Sequence, residues 1–534
     1  MKNFKNRQSA GFIGCLILML CFSCKKIDKE IDRQNAESGI VAFSPESALL
    51  GDTVLVYIKT GQENASASLK IGDAAVEVLE RKPGASGGRQ VETWKIVIPK
   101  NAPFGEPSAE LTVNGQRKPA FFGLRLTEPP ALIEGKVTAS LFAGIFREKE
   151  YSDCGYEQIY PAKDGALLQA QFGQTGLVAC SKTGNTLYVV ETYQPYNCGE
   201  PDLPNTKTLL RKIENGTVST LAGGGTDPNG DGLSARLPDQ VKGLAVSPTG
   251  LLYLSVIDVN GETGESKSSI ISIEPNSGKI DLVAGGQKEK EGYYGKIKDG
   301  PALMAKLFEP GDLSFDREGN LYFLDKSGFC VRKMDAKGII TTLFGPTRTE
   351  IIDKETYLDT DYSRIGHEDG FGNQEAQFGL LTGLATAGNG KIYVVDDGGG
   401  KFGGCVRELN PQTGETATVI GLPRGMIGKE TGSFKEVSGS PQGGNGFFGM
   451  DTDFDGNLLL TRQYGGTEIK LFKIDLQFET VKLIAGGGGV IDPNKPMPGS
   501  SARLFGGNIT FDDKGNLYIG DNFSYLIRKI EREK

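Results

Sequence analysis

The chain has 534 residues, 38% of them hydrophobic, with 75 glycines and a formal net charge of −8. That length exceeds what one hydrophobic core usually organises, so at least two modules are expected, and a glycine share about twice the usual one, without loss of apolar residues, favours an all-β, turn-rich chain over a disordered one. The acidic balance leaves no basic face for a phosphate backbone and excludes nucleic acid as a partner.

Lys2, Lys5 and Arg7 precede an apolar stretch from Gly11 to Phe22, which is too short to span a bilayer as a helix and reads as part of a signal peptide, residues 1–23. Its end, "LCFSCKK", resembles the lipobox of bacterial lipoproteins: Ser23 precedes Cys24, although Cys21 stands where that box prefers Leu. The resemblance implies cleavage before Cys24 and lipidation of its thiol, which would hold the chain to a membrane by lipid alone; the expected location is the outer membrane of a Gram-negative bacterium, with outer-surface and periplasmic facing both open and the outer surface the leading expectation. Residues 24–38, "CKKIDKEIDRQNAES", are polar and charged and form a tether.

From residue 39 the pattern changes. "FSPESALLGDTVLVYIKT" is a turn followed by the β-branched run Thr53–Ile58, and "VETWKIVIPKNAPFGEPSAELTV" adds two strands with turn residues between them. Trp94 falls in one of these strands as a core residue. Pro45, Gly51, Thr53-Val54 and the "VIP" at 97–99 resemble the IPT/TIG immunoglobulin-like domain, which implies a small β-sandwich over 39–126. A proline-marked linker, 127–135, follows.

Self-comparison of the remainder finds six copies of one unit. Their second-strand cores are "TLYVVE" (186–191), "LLYLSV" (251–256), "NLYFLD" (320–325), "KIYVVD" (391–396), "NLLLTR" (457–462) and "NLYIGD" (516–521). Most have an apolar strand before and a third strand after, and the first five copies end in a fourth, such as "TVSTLAG" or "KIDLVAG". Four antiparallel strands make one propeller blade. The sixth copy stops without its fourth strand, which would leave an open edge, and "KVTASLFAG" at 136–144 has the fourth-strand pattern. The expected architecture over 136–534 is therefore a six-bladed β-propeller closed by the strand at 136–144. The repeats, including "DGPALMAKLFEPGDLSFDREGNLYFLD", resemble the NHL propeller family. That likeness implies a fold and leaves activity open, because one fold hosts many functions.

Function is expected where the surplus length lies. Turns between first and second and between third and fourth strands are short, whereas the second-to-third connection of copy one and the inter-copy connections near 346–368 and 422–446 are long. Insertions on one face mark a binding face. It would carry Tyr193, Tyr196, Tyr357, Tyr362, Tyr464, Phe523 and Tyr525, whose flat rings with polar rims suit sugar rings. Glu191, Asp325, Asp396 and Asp521 end second strands, with Arg462 in the equivalent place of copy five. Such acids either cap strand ends or, converging, bind a ligand or calcium or act as acid and base. The Asp-Gly pairs at 164, 231, 299 and 369 read as turns.

After Cys24 come Cys154, Cys180, Cys198, Cys330 and Cys405. Cys154 and Cys198, both in loops of the first copy, are expected to form a disulfide and the other three to be thiols. With His367 the only histidine and no CxxC pair, a Cys/His zinc site is excluded. No catalytic residue and no cofactor are expected, and the leading expectation is a binding protein that captures a glycan. The alternatives are a calcium-dependent propeller lactonase or lyase and a scaffold for another envelope protein; the likeness to lipoproteins that pair these two modules implies an accessory role in carbohydrate uptake.

Overall fold

A computed structural model describes residues 39–532 apart from isolated positions, short stretches such as 464–467, and the longer stretches 127–136, 147–161, 194–206, 260–265, 288–295, 397–403, 423–430 and 435–446. The chain divides into two compact units, Met1–Pro129 and Pro130–Lys534. No helix among the described residues is long and apolar enough to cross a membrane.

In the first unit one antiparallel sheet runs in the order Gly39–Ser44, Thr53–Lys59, Arg89–Val97, Glu77–Ser86, and a second runs Ala74–Ala75, Ala67–Ile71, Ala109–Val113, Gln116–Lys118. Alternation builds the core: Val54, Val56 and Ile58 point the same way as Trp94 and Ile96 and meet Leu69, Ile71, Leu111 and Val113 of the other sheet. Trp94 is fully buried as expected, with Arg81 over its ring at 3.9 Å. The strand Glu77–Ser86 escapes sequence reading because charges and Pro83 break its alternation. It lies at a sheet edge, where a proline's missing N–H breaks no ladder.

Among the described residues the second unit holds six antiparallel sheets of four or more strands, numbered here in chain order, and one separate two-stranded ribbon. Their first strands are Gln174–Cys180, Gln240–Val246, Pro310–Phe315, Leu381–Thr386, Phe447–Thr452 and Ile509–Phe511. Each first strand packs against that of the next sheet, and the sixth packs against the first, so the inner edges close a cycle. The strand Val137–Ala143 completes sheet 6, pairing antiparallel with Leu526–Arg532 with Ala139 opposite Ile530.

One hydrophobic cluster fills each seam. In the second strand of sheet 1, Leu187 and Val189 join Tyr518 and Ile527 of sheet 6, while Tyr188 and Val190 join Leu244 and Leu252 of sheet 2. Alternating side chains thus bury on both faces, which is why these strands read as unbroken apolar runs rather than as alternation. Much of the glycine is explained at the fourth-strand ends. Gly223, Gly285 and Gly486 hold φ of 95°, 70° and 91°, and a side chain there would strike a neighbouring carbonyl oxygen at 2.2, 2.5 and 2.5 Å.

Candidate functional site at the loop end of the six sheets

Second strands end, and inter-sheet connections begin, at one end of the ring. The strand-end acids lie there, and each faces an arginine of the third strand. Asp325 meets Arg332 at 3.0 Å, Asp396 meets Arg407 at 3.3 Å, Asp521 meets Arg528 at 3.3 Å, and Glu191 pairs with Arg211. All eight side chains are buried. Backbone N–H groups complete the acids: Gly173 donates to Glu191 at 2.7 Å, Gly379 to Asp396 at 3.0 Å and Ser524 to Asp521 at 2.8 Å. Burial pushes the Glu191, Asp325 and Asp521 carboxyls up while the paired arginines pull them back.

The other arm of each arginine in sheets 1, 3 and 4 reaches an Asp-Gly aspartate: Asp164 at 2.8 Å, Asp299 at 2.9 Å and Asp369 at 2.9 Å. These aspartates also accept from the backbone and hydroxyl of Thr220, Thr342 and Thr418 on the fourth strands. The pairs at 164, 299 and 369 are therefore staples that tie the incoming chain to the sheet, more than turns. Asp231 of sheet 2 instead accepts from the Ile280 backbone at 2.7 Å.

Glu191, Asp325, Asp396 and Asp521, the strand-end acids expected at a ligand site, are each buried against an arginine in this structure. Each carboxylate has its charge met by its own arginine and is closed off from solvent. They sit on four different sheets, and among the described residues no group of three His, Cys, Asp or Glu could hold a metal ion.

Sheets 2 and 5 depart from the pattern. Val256 and Arg462 take the acid's place, and Ile271 and Phe472 take the arginine's, opposite Leu254 and Leu460. Arg462 and its cross-strand neighbour Lys470 are 8% and 9% exposed, so Arg462 is largely enclosed rather than open on the face.

Along the axis, the free edges of the first strands are satisfied by side chains of the preceding sheet. Asn508 accepts from Val178 N at 3.0 Å, Thr510 from Cys180 N at 3.1 Å, Asp312 from Leu384 N at 3.0 Å and Ser314 from Thr386 N at 3.1 Å. Asp451 accepts from Thr452 N at 2.8 Å and from the Phe511 backbone. Burial pushes Asp312 up to about 6 and Asp451 up to about 7, the latter helped by the charges of Asp312 and Asp453. Lys326, whose stem would touch any side chain added at Gly311, is pushed down by burial against the pull of Asp312. Sequence reasoning missed these groups; the signal was an acid inside otherwise apolar first strands, "PGDLSF" and "FFGMDT".

The aromatic residues divide. Tyr362 is 71% exposed and meets Phe329 edge to face, with centroids 6.3 Å apart at 77°. Phe523 stacks on Phe505 at 4.4 Å, Tyr193 and Tyr525 are half-buried, and Tyr357 is buried with its hydroxyl donating to Glu355 at 3.0 Å. Tyr196, Tyr464, His367, Cys24, Cys154 and Cys198 lie outside the described residues. Cys180, Cys330 and Cys405 are in no disulfide.

No family model matches the chain, and no curated protein matches its sequence. Solved structures are similar at low identity. An auxiliary nutrient binding protein of Bacteroides thetaiotaomicron is 16% identical over 94% of this chain and 99% of that one, with a TM-score of 0.46. One of Bacteroides ovatus is 13% identical over 94% and 99%, with a TM-score of 0.43. A gluconolactonase of Xanthomonas campestris is 14% identical over 74% and 97%, with a TM-score of 0.37.

Proposed function

We propose that this protein is a lipid-anchored binding protein of a Gram-negative envelope that captures a glycan at the loop end of its ring. In this reading Cys24 carries the lipid, the first unit is an IPT/TIG-like sandwich acting as spacer, and the ring is a six-bladed propeller of NHL type. The observation that carries it is the fate of the strand-end acids. Hydrolytic chemistry at that end would need carboxylates open to substrate, and Glu191, Asp325, Asp396 and Asp521 are each enclosed with an arginine. In this reading the loop end offers instead the exposed ring of Tyr362 and the half-buried rings of Tyr193 and Tyr525, which suit a sugar's apolar face and hydroxyl rim. Tyr193 and Tyr525, with Tyr196 and Tyr464 on their connections, belong to that surface in this reading.

The test uses the soluble chain beginning after Ser38. Oligosaccharide arrays followed by calorimetry should show saturable binding without turnover. Calcium-dependent opening of a sugar lactone by the same preparation would replace this reading with an enzymatic one. The anchor is tested separately: Cys24→Ala should lose lipid labelling and leave the membrane fraction.

A further inference from the structure

Tyr362 and Phe478 are the two most exposed aromatic rings among the described residues, each 71% accessible. They lie at opposite ends of the sheets. Phe478 sits in the short turn between Glu468–Asp475 and Thr480–Gly486, whereas Tyr362 belongs to the connection between sheets 3 and 4. Tyr362 is the one of the two at the loop end, directly after a two-stranded ribbon.

That mount is rigid. Thr347–Ile352 and Glu355–Thr360 form a two-stranded ribbon, which is tied down where Ile297 and Leu358 exchange backbone bonds of 2.8 and 2.7 Å. Lys296 holds Glu350 and Asp359, each at 2.8 Å, and Arg348 holds Asp359 at 2.9 Å. Asp361 donates its N–H to Pro346 O at 2.6 Å, and its carboxylate accepts from the backbone and hydroxyl of Ser363 at 3.1 and 2.6 Å, fixing the turn that carries Tyr362.

The partner ring is held at a cost. Phe329 has φ of 50°, a region that bulky side chains rarely adopt, and Tyr525 repeats this at the equivalent turn position of sheet 6 with φ of 58°. Strain of this kind persists where the surroundings impose it, often at sites of function. Here the Phe329 ring meets Tyr362 edge to face while Tyr362 stays 71% exposed.

We propose that Phe329 and Tyr362 form a subsite for one pyranose ring of a neutral oligosaccharide. The sugar's C–H face lies on Tyr362, and its hydroxyls meet the Asp361 carboxylate, the Ser363 hydroxyl and Arg364. The surroundings select this class. The ribbon beside the ring carries the ion pairs of Lys296 and Arg348 along with the exposed Ile351, so polar partners for a sugar's hydroxyls and an apolar contact for its C–H face lie side by side. A pyranose needs one flat apolar face and polar partners at its rim. A preorganised ring also loses little freedom on binding.

The subsite rests on the glycan-binding reading above, and one experiment separates the two. The soluble chain and three variants, Tyr362→Ala, Tyr362→Phe and Phe478→Ala, are titrated calorimetrically with neutral gluco-, manno- and galacto-oligosaccharides of six to eight units. The expected result is a Kd raised tenfold or more in Tyr362→Ala, largely kept in Tyr362→Phe, and unchanged in Phe478→Ala. Unfolding curves should coincide for all four, since both rings are exposed. Wild-type binding that Tyr362→Ala leaves unaltered would overturn the subsite and leave glycan capture standing elsewhere on the face. Absence of binding by every sugar in the wild type would overturn both.

Discussion

The two ends of the ring are built by the same strands, yet they differ in how their polar groups are used. At the short-turn end each acid closes its own turn: Asp316 accepts from Asn320 N and Nδ2 at 2.8 and 2.6 Å, Asp453 from Asn457 at 2.8 and 3.0 Å, and Asp512 from Asn516 at 2.8 and 2.7 Å. At the loop end the acids that close second strands turn inward to arginines, and inserted chain such as the ribbon at 347–360 adds further polar groups. Framework charge and surface chemistry are thereby separated. Connections at the loop end can vary while Asp325, Arg332 and their counterparts hold the sheets, which is how one scaffold carries different ligands.

The sharpest way to break this framework is to open the ring. A chain beginning at Pro130 retains Val137–Ala143 and should unfold cooperatively in thermal denaturation. A chain beginning at residue 145 exposes the edge of Leu526–Arg532 and strips Val137 and Ala139 from the core between sheets 5 and 6. Aggregation or loss of a cooperative transition is expected. Equal Tm values for the two would show that closure contributes nothing.

The next effect is smaller and compares sheets 2 and 3. Arg332 holds Asp325, Asp299 and the carbonyls of Lys298 and Lys306. Arg332→Ile would leave a buried carboxylate uncompensated, and a loss of about 3–5 kcal/mol is expected in chemical denaturation. Sheet 2 already runs with Val256 and Ile271 in these places. The double variant Asp325→Val/Arg332→Ile should therefore recover much of that loss, and a double variant no better than the single one would show that the pair contributes more than mutual neutralisation.

Much of this architecture was legible in the sequence, and the parts that were not have a common cause. The repeat shows because buried second strands keep the apolar run seen in Leu321–Asp325 and Leu517–Asp521. The acids ending those strands show too, but their partners lie at unequal distances, seven residues on for Arg332 and Arg528, eleven for Arg407 and twenty for Arg211, as the second-to-third connections differ in length. A pair whose spacing varies leaves no motif. Asp312 and Asp451 stand out only as acids in apolar first strands, because part of what holds them, the backbone N–H groups of Leu384 and Phe511, lies on the next sheet, where no residue type reveals it. Phe329 was missed because positive φ in a bulky residue is a property of the turn.

The smallest effect is one of pH, and it probes the axis rather than either end. Asp312 and Asp451 are pushed from 3.8 up to about 6 and about 7. The folded state therefore binds these protons more tightly than the unfolded chain. Their favourable contribution is complete below about pH 4 and is lost as pH rises through 6 and 7, the reverse of an acid held down by a cation. The groups facing them are few: Lys326 near Asp312, and Asp312 and Asp453 near Asp451, with Asp453 itself on Lys473 at 3.3 Å. Asp451→Asn keeps an acceptor for the Thr452 and Phe511 backbone and cannot ionise. Its Tm relative to wild type should rise between pH 5 and pH 8, where wild type must carry the buried charge, and the two should converge toward pH 5. Other acids, such as Glu214 and Asp335, are held down by hydrogen bonds and shift both proteins alike, so the difference between the two melting curves isolates the axis. A difference that is flat from pH 5 to pH 8 would show that Asp451 does not titrate there.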